Sequence, residues 1–250
     1  MPAPANTFKK RLEARETQVG LWVSSGDASI AELAAGCGYD WLVIDGEHGP
    51  NGLRDILGQL RAVGDKSHPV VRVPDDNRAT IKQMLDIGAQ TILVPMIDSA
   101  EQAREAVRSM LYPPKGVRGV GAAVARASGY SAIGDYTQTA NETVCLLVQV
   151  ESLKGLEALD DILAVEGVDG VFIGPSDLGT DMGYGPDAPE VREAVTGALK
   201  RIQEGGKAAG VLATVPDVAK DYVDMGVEFV AVGGDVLVLR AALCDLRAKF

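Results

Sequence analysis

The chain has 250 residues, 46% hydrophobic but only 5% aromatic, with a formal net charge of −11. That length suits one core of α/β-barrel size, and the scarcity of aromatics beside abundant Gly, Ala and Val suits parallel strands packed closely under helices. The acidic balance repels phosphate backbones and anionic lipid, so neither nucleic acid nor membrane is expected as a partner.

In chain order, the opening MPAPANTFKKRLEARE lacks an apolar signal core, and no apolar run reaches the roughly 18 residues of a membrane span. A cytoplasmic protein is expected. Cys37, Cys145 and Cys244 lie far apart and form no C-x-x-C pair, which argues against a disulfide framework or a zinc site. Short apolar runs then recur: VGLWV (19–23), WLVID (41–45), PVVRV (69–73), TILVP (91–95), VCLLVQV (144–150), GVFIG (170–174), AGVLA (209–213) and EFVAVG (228–233). They are continuous rather than alternating, as parallel strands buried on both faces are. Helical patterns separate them. SIAELAAGCG places Ile30, Leu33 and Ala34 on one face, and RATIKQMLDIG does so with Ile81, Met84 and Leu85, each pattern closed by glycine. Eight strands alternating with helices predict a single (β/α)8 TIM barrel over residues 1–250, with a doubly wound open sheet as the alternative. The Gly-rich segment 112–141 interrupts the rhythm and reads as a loop that serves the site.

Chemistry in such a barrel gathers at the C-terminal strand ends. Asp45, Glu47 and His48 follow the second strand, Arg72 lies within the third, Gln149 and Glu151 end the fifth, and Ser176 and Asp177 follow the sixth. Gln149 and Glu151, two apart, share a face. Each group has a plain structural reading as well: Glu151 as a strand-end carboxylate, Asp177 as a helix N-cap, Arg72 as half of an ion pair, His48 as a loop histidine. Together the two carboxylates suit Mg²⁺ or Mn²⁺ with waters, and Arg72 suits a carboxylate or a developing oxyanion. His48 suits a general base with Asp45 as its support. His68, at the other end of the third strand, reads as a surface residue. No lysine lies inside an apolar run, which argues against imine chemistry. A phosphate site at VGGDVL after the last strand, and a non-enzymatic scaffold, are the competing readings.

WLVIDGEHGP, PVVRVP, KQMLDIGAQTILVPMI, YPPKGVRGVG, LLVQVES and VDGVFIGPSDLGTDMGY, in that order along nearly the whole chain, resemble the metal-dependent (class II) pyruvate aldolases of the HpcH/HpaI family, most of all those acting on 4-hydroxy-2-oxoheptanedioate in aromatic catabolism. The resemblance implies a barrel of the phosphoenolpyruvate/pyruvate type and cleavage of a 4-hydroxy-2-oxo acid to pyruvate and an aldehyde such as succinic semialdehyde. A 2-keto-3-deoxy-sugar-acid aldolase would share every motif. It further implies Glu151 and Asp177 as ligands of Mg²⁺, Mn²⁺ or Co²⁺, and Arg72 at the enolate oxygen with Gln149 beside it. The amides of Ser176 and Asp177 would hold the pyruvate carboxylate, and His48 would be the base through a metal-bound water, supported by Asp45. Trp22 and Leu212 would contact substrate, and Asp86 would reach the histidine of a neighbouring subunit. The implied assembly is a homohexamer, a dimer of trimers, exchanging the C-terminal helix over 236–249. Gly49 stands where relatives commonly carry Ala. Ser24, Ser25 and Gly26 would face the aldehyde portion. Arg118, Arg126 and Ser128 either meet a distal carboxylate or pack the long loop against another subunit.

Overall fold

The computed structural model describes residues 2–250. Eight strands, β1 (Gln18–Val23), β2 (Trp41–Asp45), β3 (His68–Arg72), β4 (Thr91–Val94), β5 (Cys145–Val150), β6 (Gly170–Ile173), β7 (Ala208–Leu212) and β8 (Phe229–Gly234), pair in sequence order and close into a parallel barrel. All eight apolar runs are therefore strands, and the open-sheet alternative is excluded. Around them lie α1 (Thr7–Glu13), α2 (Ala28–Ala35), α3 (Leu53–Val63), α4 (Arg78–Asp86), α5 (Ala100–Met110), α6 (Tyr136–Thr139), α7 (Leu153–Glu157), α8 (Leu159–Leu163), α9 (Pro175–Asp181), α10 (Pro189–Glu204), α11 (Pro216–Asp224) and α12 (Asp235–Arg247).

Local chemistry starts these helices. Asp27, Asn77, Ser99 and Ser152 each accept an amide of the first turn, and Pro occupies the first turn of α9, α10 and α11, where no intrahelical N–H is needed. Gly88, just past α4, takes φ +103°, the left-handed turn expected there. In α2 the buried face is Ala31, Ala34 and Ala35, while Leu33 is 66% exposed. The small side chains let α2 lie close to the sheet, so the face expected from Ile30 and Leu33 is rotated.

Inside the barrel, Trp22, Trp41, Val43, Val70, Leu93, Leu147, Phe172 and Phe229 form one apolar stack, and Phe8 and Leu12 of α1 plug its N-terminal end. Size alternation makes the stack fit: a Cβ on Gly20 would lie 2.2 Å from the Trp41 ring, and one on Gly210 2.1 Å from that of Phe229. His68 belongs to this plug. Its ring stacks on Phe8 at 5.2 Å and its Nε2 lies 2.8 Å from Thr91 Oγ1. It is half-buried structure, not the surface residue expected, and burial lowers its pKa from 6.5 to about 4.

α12 differs from the other helices. Of its residues only Asp235 is buried, while Leu237, Val238, Leu243 and Leu246 are 57, 59, 57 and 55% exposed. No helix is long and apolar enough to cross a membrane among the described residues.

Candidate active site

The barrel register builds the site. Asp45 and Arg72 end β2 and β3 as direct Cα partners, and lumenal alternation points both inward above Val43 and Val70. Arg72 Nε and Nη2 donate to Asp45 Oδ1 and Oδ2 at 2.9 and 2.8 Å, and Nη1 lies 2.6 Å from Glu47 Oε2. Arg72 CZ sits 5.0 Å over the Trp22 ring, whose Nε1 donates to Asp45 Oδ2 at 3.3 Å. The amides of Glu47 and His48 donate to Asp45 Oδ1. Burial pushes the Asp45 carboxyl upward, but the hydrogen bonds and charge of Arg72, with those two amides, outweigh it and hold its pKa below the usual carboxylate range.

This corrects one expected role. Asp45 orients Arg72, not the His48 ring. The imidazole is 68% exposed at the mouth, and its facing carboxylate is Glu47, with His48 Nε2 3.8 Å from Glu47 Oε2. Glu47 is drawn upward in pKa by burial and by the charges of Asp45 and Asp177, against the pull of Arg72 and His48.

Across the mouth, Gln149 Nε2 donates to Glu151 Oε2, and Met96 donates its amide to Glu151 Oε1 at 3.0 Å. Met96 holds φ +54°, a left-handed conformation unusual for Met, and that turn aims its N–H at the carboxylate. No feature of the sequence signals it. Burial raises the Glu151 pKa, and the charges of Asp177 and Glu47 raise it further. The charges of Glu47 and Asp177 thus bear on Glu151 at one mouth, a local excess of negative charge that a cation would neutralise. Two further features fit. Gln149 Oε1 is buried without a hydrogen-bond partner, and a Cβ on Gly174 would come within 2.3 Å of Glu151 Oε2, so glycine there leaves the carboxylate its place. Among the described residues no three His, Cys, Asp or Glu side chains form a ready cage, so the set fits a hard cation that keeps waters.

Val150 pairs with Ile173, which sets Glu151 level with Gly174 at the start of α9. Ser176 and Asp177 are exposed in the first turn of that helix, where amides lack intrahelical acceptors. Ser176 and Leu212, the last residue of β7, line a cavity of about 270 Å³ that reaches Thr214, Asp187 and Arg192. Leu212 also packs against the lumenal stack that contains Trp22. The fold thus gathers Trp22, Asp45, Glu47, His48, Arg72, Gln149, Glu151, Ser176, Asp177 and Leu212 at one end of the barrel.

Four expected residues lie elsewhere within the chain. Asp86, at the end of α4, pairs with Arg118 at 2.8 Å. The Arg118 guanidinium is buried over the Tyr112 ring at 4.3 Å. Ser128 is buried, its hydroxyl donating to carbonyls of its own loop. Arg126 donates to the Ile87 carbonyl and lines a cavity of about 630 Å³ with Phe8 and His68, at the barrel end opposite Arg72 and Glu151. In the single chain these groups pack the loop. Geometry also speaks against the phosphate reading of VGGDVL: the buried Asp235 carboxylate at the start of α12 takes the Val236 amide of that helix as well as those of Ser24 and Ser25, and sets a negative charge there. Gly49 sits tightly, since a Cβ there would lie 2.6 Å from the Asp45 carbonyl oxygen.

Residues 18–242 match the family described as HpcH/HpaI aldolase/citrate lyase. The chain belongs to this family. HpcH/HpaI enzymes are carbon–carbon lyases, and relatives are correspondingly named aldolases. The chain is 53% identical over 253 residues to a hydroxypyruvate/pyruvate aldolase of Agrobacterium fabrum, covering 100% of this chain and 95% of that one. It is 52% identical over 248 residues to a 2-keto-3-deoxy-L-rhamnonate aldolase of Escherichia coli, covering 98% and 93%. The crystal structure of an HpcH/HpaI aldolase/citrate lyase family protein from Burkholderia cenocepacia superposes with a TM-score of 0.93 at 39% identity, over 98% of this chain and 99% of that one. The HpcH/HpaI resemblance read from the motifs is thereby established, and with it the TIM-barrel fold.

Proposed function

We propose that this HpcH/HpaI enzyme reversibly cleaves 4-hydroxy-2-oxo acids to pyruvate and an aldehyde, with Mg²⁺, Mn²⁺ or Co²⁺ held by Glu151 and Asp177. The observation that carries the reading is the Arg72 guanidinium, locked by Asp45, paired with Glu47 and set at the same barrel mouth as the Gln149–Glu151 pair. When bound, the cation supplies a Lewis acid for the oxygens of the 2-oxo acid.

The chain's own groups do the rest. The first-turn amides at Ser176 and Asp177 receive the substrate carboxylate, as helix starts favour anions. Exposed His48 takes the C4 hydroxyl proton. The C3–C4 bond breaks, the aldehyde departs, and the electron pair passes through C3 onto the 2-oxo oxygen. Arg72 meets the charge there. Return of a proton to C3 gives pyruvate, and the reverse reaction starts by removing it.

Within this class, a 2-keto-3-deoxy sugar acid is favoured over 4-hydroxy-2-oxoheptanedioate. Arg118 and Arg126, the cations expected for a second carboxylate, hold Asp86 and the Ile87 carbonyl rather than facing this mouth in the single chain, and Arg192 beside the Leu212 cavity is paired with Asp221. Relatives named for hydroxypyruvate and rhamnonate aldolase activity support the same choice. The test is a metal-reconstituted assay with pyruvate or hydroxypyruvate as donor and a panel of aldehydes. Hydroxyaldehydes should outrun succinic semialdehyde in kcat/KM; the opposite order would reverse the choice.

The apolar surface of α12 supports a homo-oligomer in which that helix is covered by another copy, and a neighbouring subunit could then bring Asp86 to His48. Light scattering on the purified enzyme, with hexamer as the expected mass, tests the assembly.

A further inference from the structure

Asp235 is the one buried residue of α12, and among the described residues no Lys, Arg or His forms an ion pair with it. An acidic residue in a first helical turn ordinarily lies in water and serves the helix dipole. This one turns back onto the barrel. Oδ1 accepts the Ser24 amide at 2.9 Å and the Val236 amide at 2.8 Å, and Oδ2 accepts the Ser25 amide at 3.1 Å. Ladder pairing does not hold Ser24, because β1 ends at Val23 and its last partner on β8 is Gly234, opposite Trp22. Asp235 is therefore what fixes the turn after β1.

That turn reaches the reaction centre. Ser24 Oγ donates to Asp45 Oδ2 at 3.3 Å, the oxygen that also receives Arg72 Nη2 and Trp22 Nε1. A carboxylate shared in this way cannot rotate without turning the guanidinium bonded to both its oxygens.

We propose that Asp235 is a positioning residue that, through Ser24, holds the Asp45–Arg72 pair in its working orientation and so links the seat of the C-terminal helix to catalysis. The inference rests on the aldolase reading for its kinetic consequence, not for its geometry.

The experiment is a double-mutant cycle of Asp235→Ala and Ser24→Ala in the full-length, metal-loaded enzyme. Each single variant should lower kcat by roughly three- to tenfold with KM for pyruvate nearly unchanged, and the double variant should be no slower than the slower single, as expected for coupled neighbours. Multiplying effects, or a lower Tm with an unchanged kcat, would overturn the link. Should Asp235→Ala not fold, Asp235→Asn, which keeps one acceptor oxygen and so cannot serve the Ser24, Ser25 and Val236 amides together, takes its place under the same criteria. Trp22 fluorescence supplies a readout independent of turnover. Asp235→Ala should shift the emission, Ser24→Ala should add nothing, and the shift should vanish in a Trp22→Phe background. An unshifted spectrum overturns the relay even if no aldolase turnover is found, whereas an inactive unmutated enzyme with a shifted spectrum overturns only the reaction.

Discussion

Arg72 and Asp45 stand opposite each other in register on adjacent strands and are joined by two hydrogen bonds of 2.9 and 2.8 Å, so the guanidinium is presented as a fixed plane rather than a mobile charge. A bidentate fork of this kind is a property of arginine that lysine does not reproduce. Arg72→Lys should keep the fold and lower kcat by about 10²- to 10³-fold, the loss typical of one missing oxyanion donor. Arg72→Ala should in addition cost about 3–5 kcal/mol in denaturant unfolding, because Asp45 is left buried and unpaired. Near-normal kcat in Arg72→Lys would show that the plane is structural alone.

Chelation should abolish activity, and Mg²⁺, Mn²⁺ or Co²⁺ should restore it; full turnover by a demonstrably metal-free enzyme would end the cation assignment. Gly174→Ala offers a second route to the same question. Its Cβ would press on Glu151 Oε2, so calorimetry should find cation affinity reduced by about tenfold or more, each tenfold being about 1.4 kcal/mol.

For His48 the expected signature is selective. His48→Ala should slow both cleavage and exchange of the pyruvate methyl protons by about 10²- to 10⁴-fold. Its ring is mostly in water, so unfolding free energy should move by no more than about 0.5 kcal/mol and cation affinity should hold. A collapse of cation binding would instead make His48 a ligand.

The plug at the other end of the barrel should impose its own pH dependence. His68 has a folded pKa of about 4, depressed by burial from 6.5, so below pH 6.5 the unfolded chain binds a proton that the folded one refuses. Its contribution to stability is complete above pH 6.5 and is lost as pH falls toward 4. Melting curves across that interval should therefore decline less steeply for His68→Gln than for the unmutated protein.

Most of the barrel was legible because parallel strands buried on both faces must be apolar throughout, and each such run was a strand. The polar residues at their ends were legible for the same reason, since a charge such as Arg72 stands out among valines. Partnership was not. Asp45 is three residues from His48 but 27 from Arg72, and only the β2–β3 register shows that the distant residue is its partner. His68 looked peripheral until α1 folded beneath the barrel and set Phe8 on its ring. The rotation of α2 was hidden because periodicity weighs Leu33 above the alanines that pack more closely. Arg118, Arg126 and Ser128 sit in a loop without repeating pattern, so their contacts could not be ordered in advance. Met96 donates its own backbone amide and the Asp235 carboxylate accepts the amides of a distant turn, pairings that composition does not reveal.

The division between strands and loops at the mouth has a consequence for how the enzyme can change. Trp22, Asp45, Arg72 and Gln149 issue from the strands and Glu151 directly follows one, each hydrogen-bonded to another group of the site. Thr214, Asp187 and Arg192, which surround the Leu212 cavity, lie beyond β7 or near the start of α10 and share no hydrogen bond with that set. On the proposed aldolase reading, laboratory selection for new aldehydes would therefore randomise the cavity rim while the strand-borne groups stay where the barrel puts them, and the range of acceptors becomes a trait that can drift separately from the reaction.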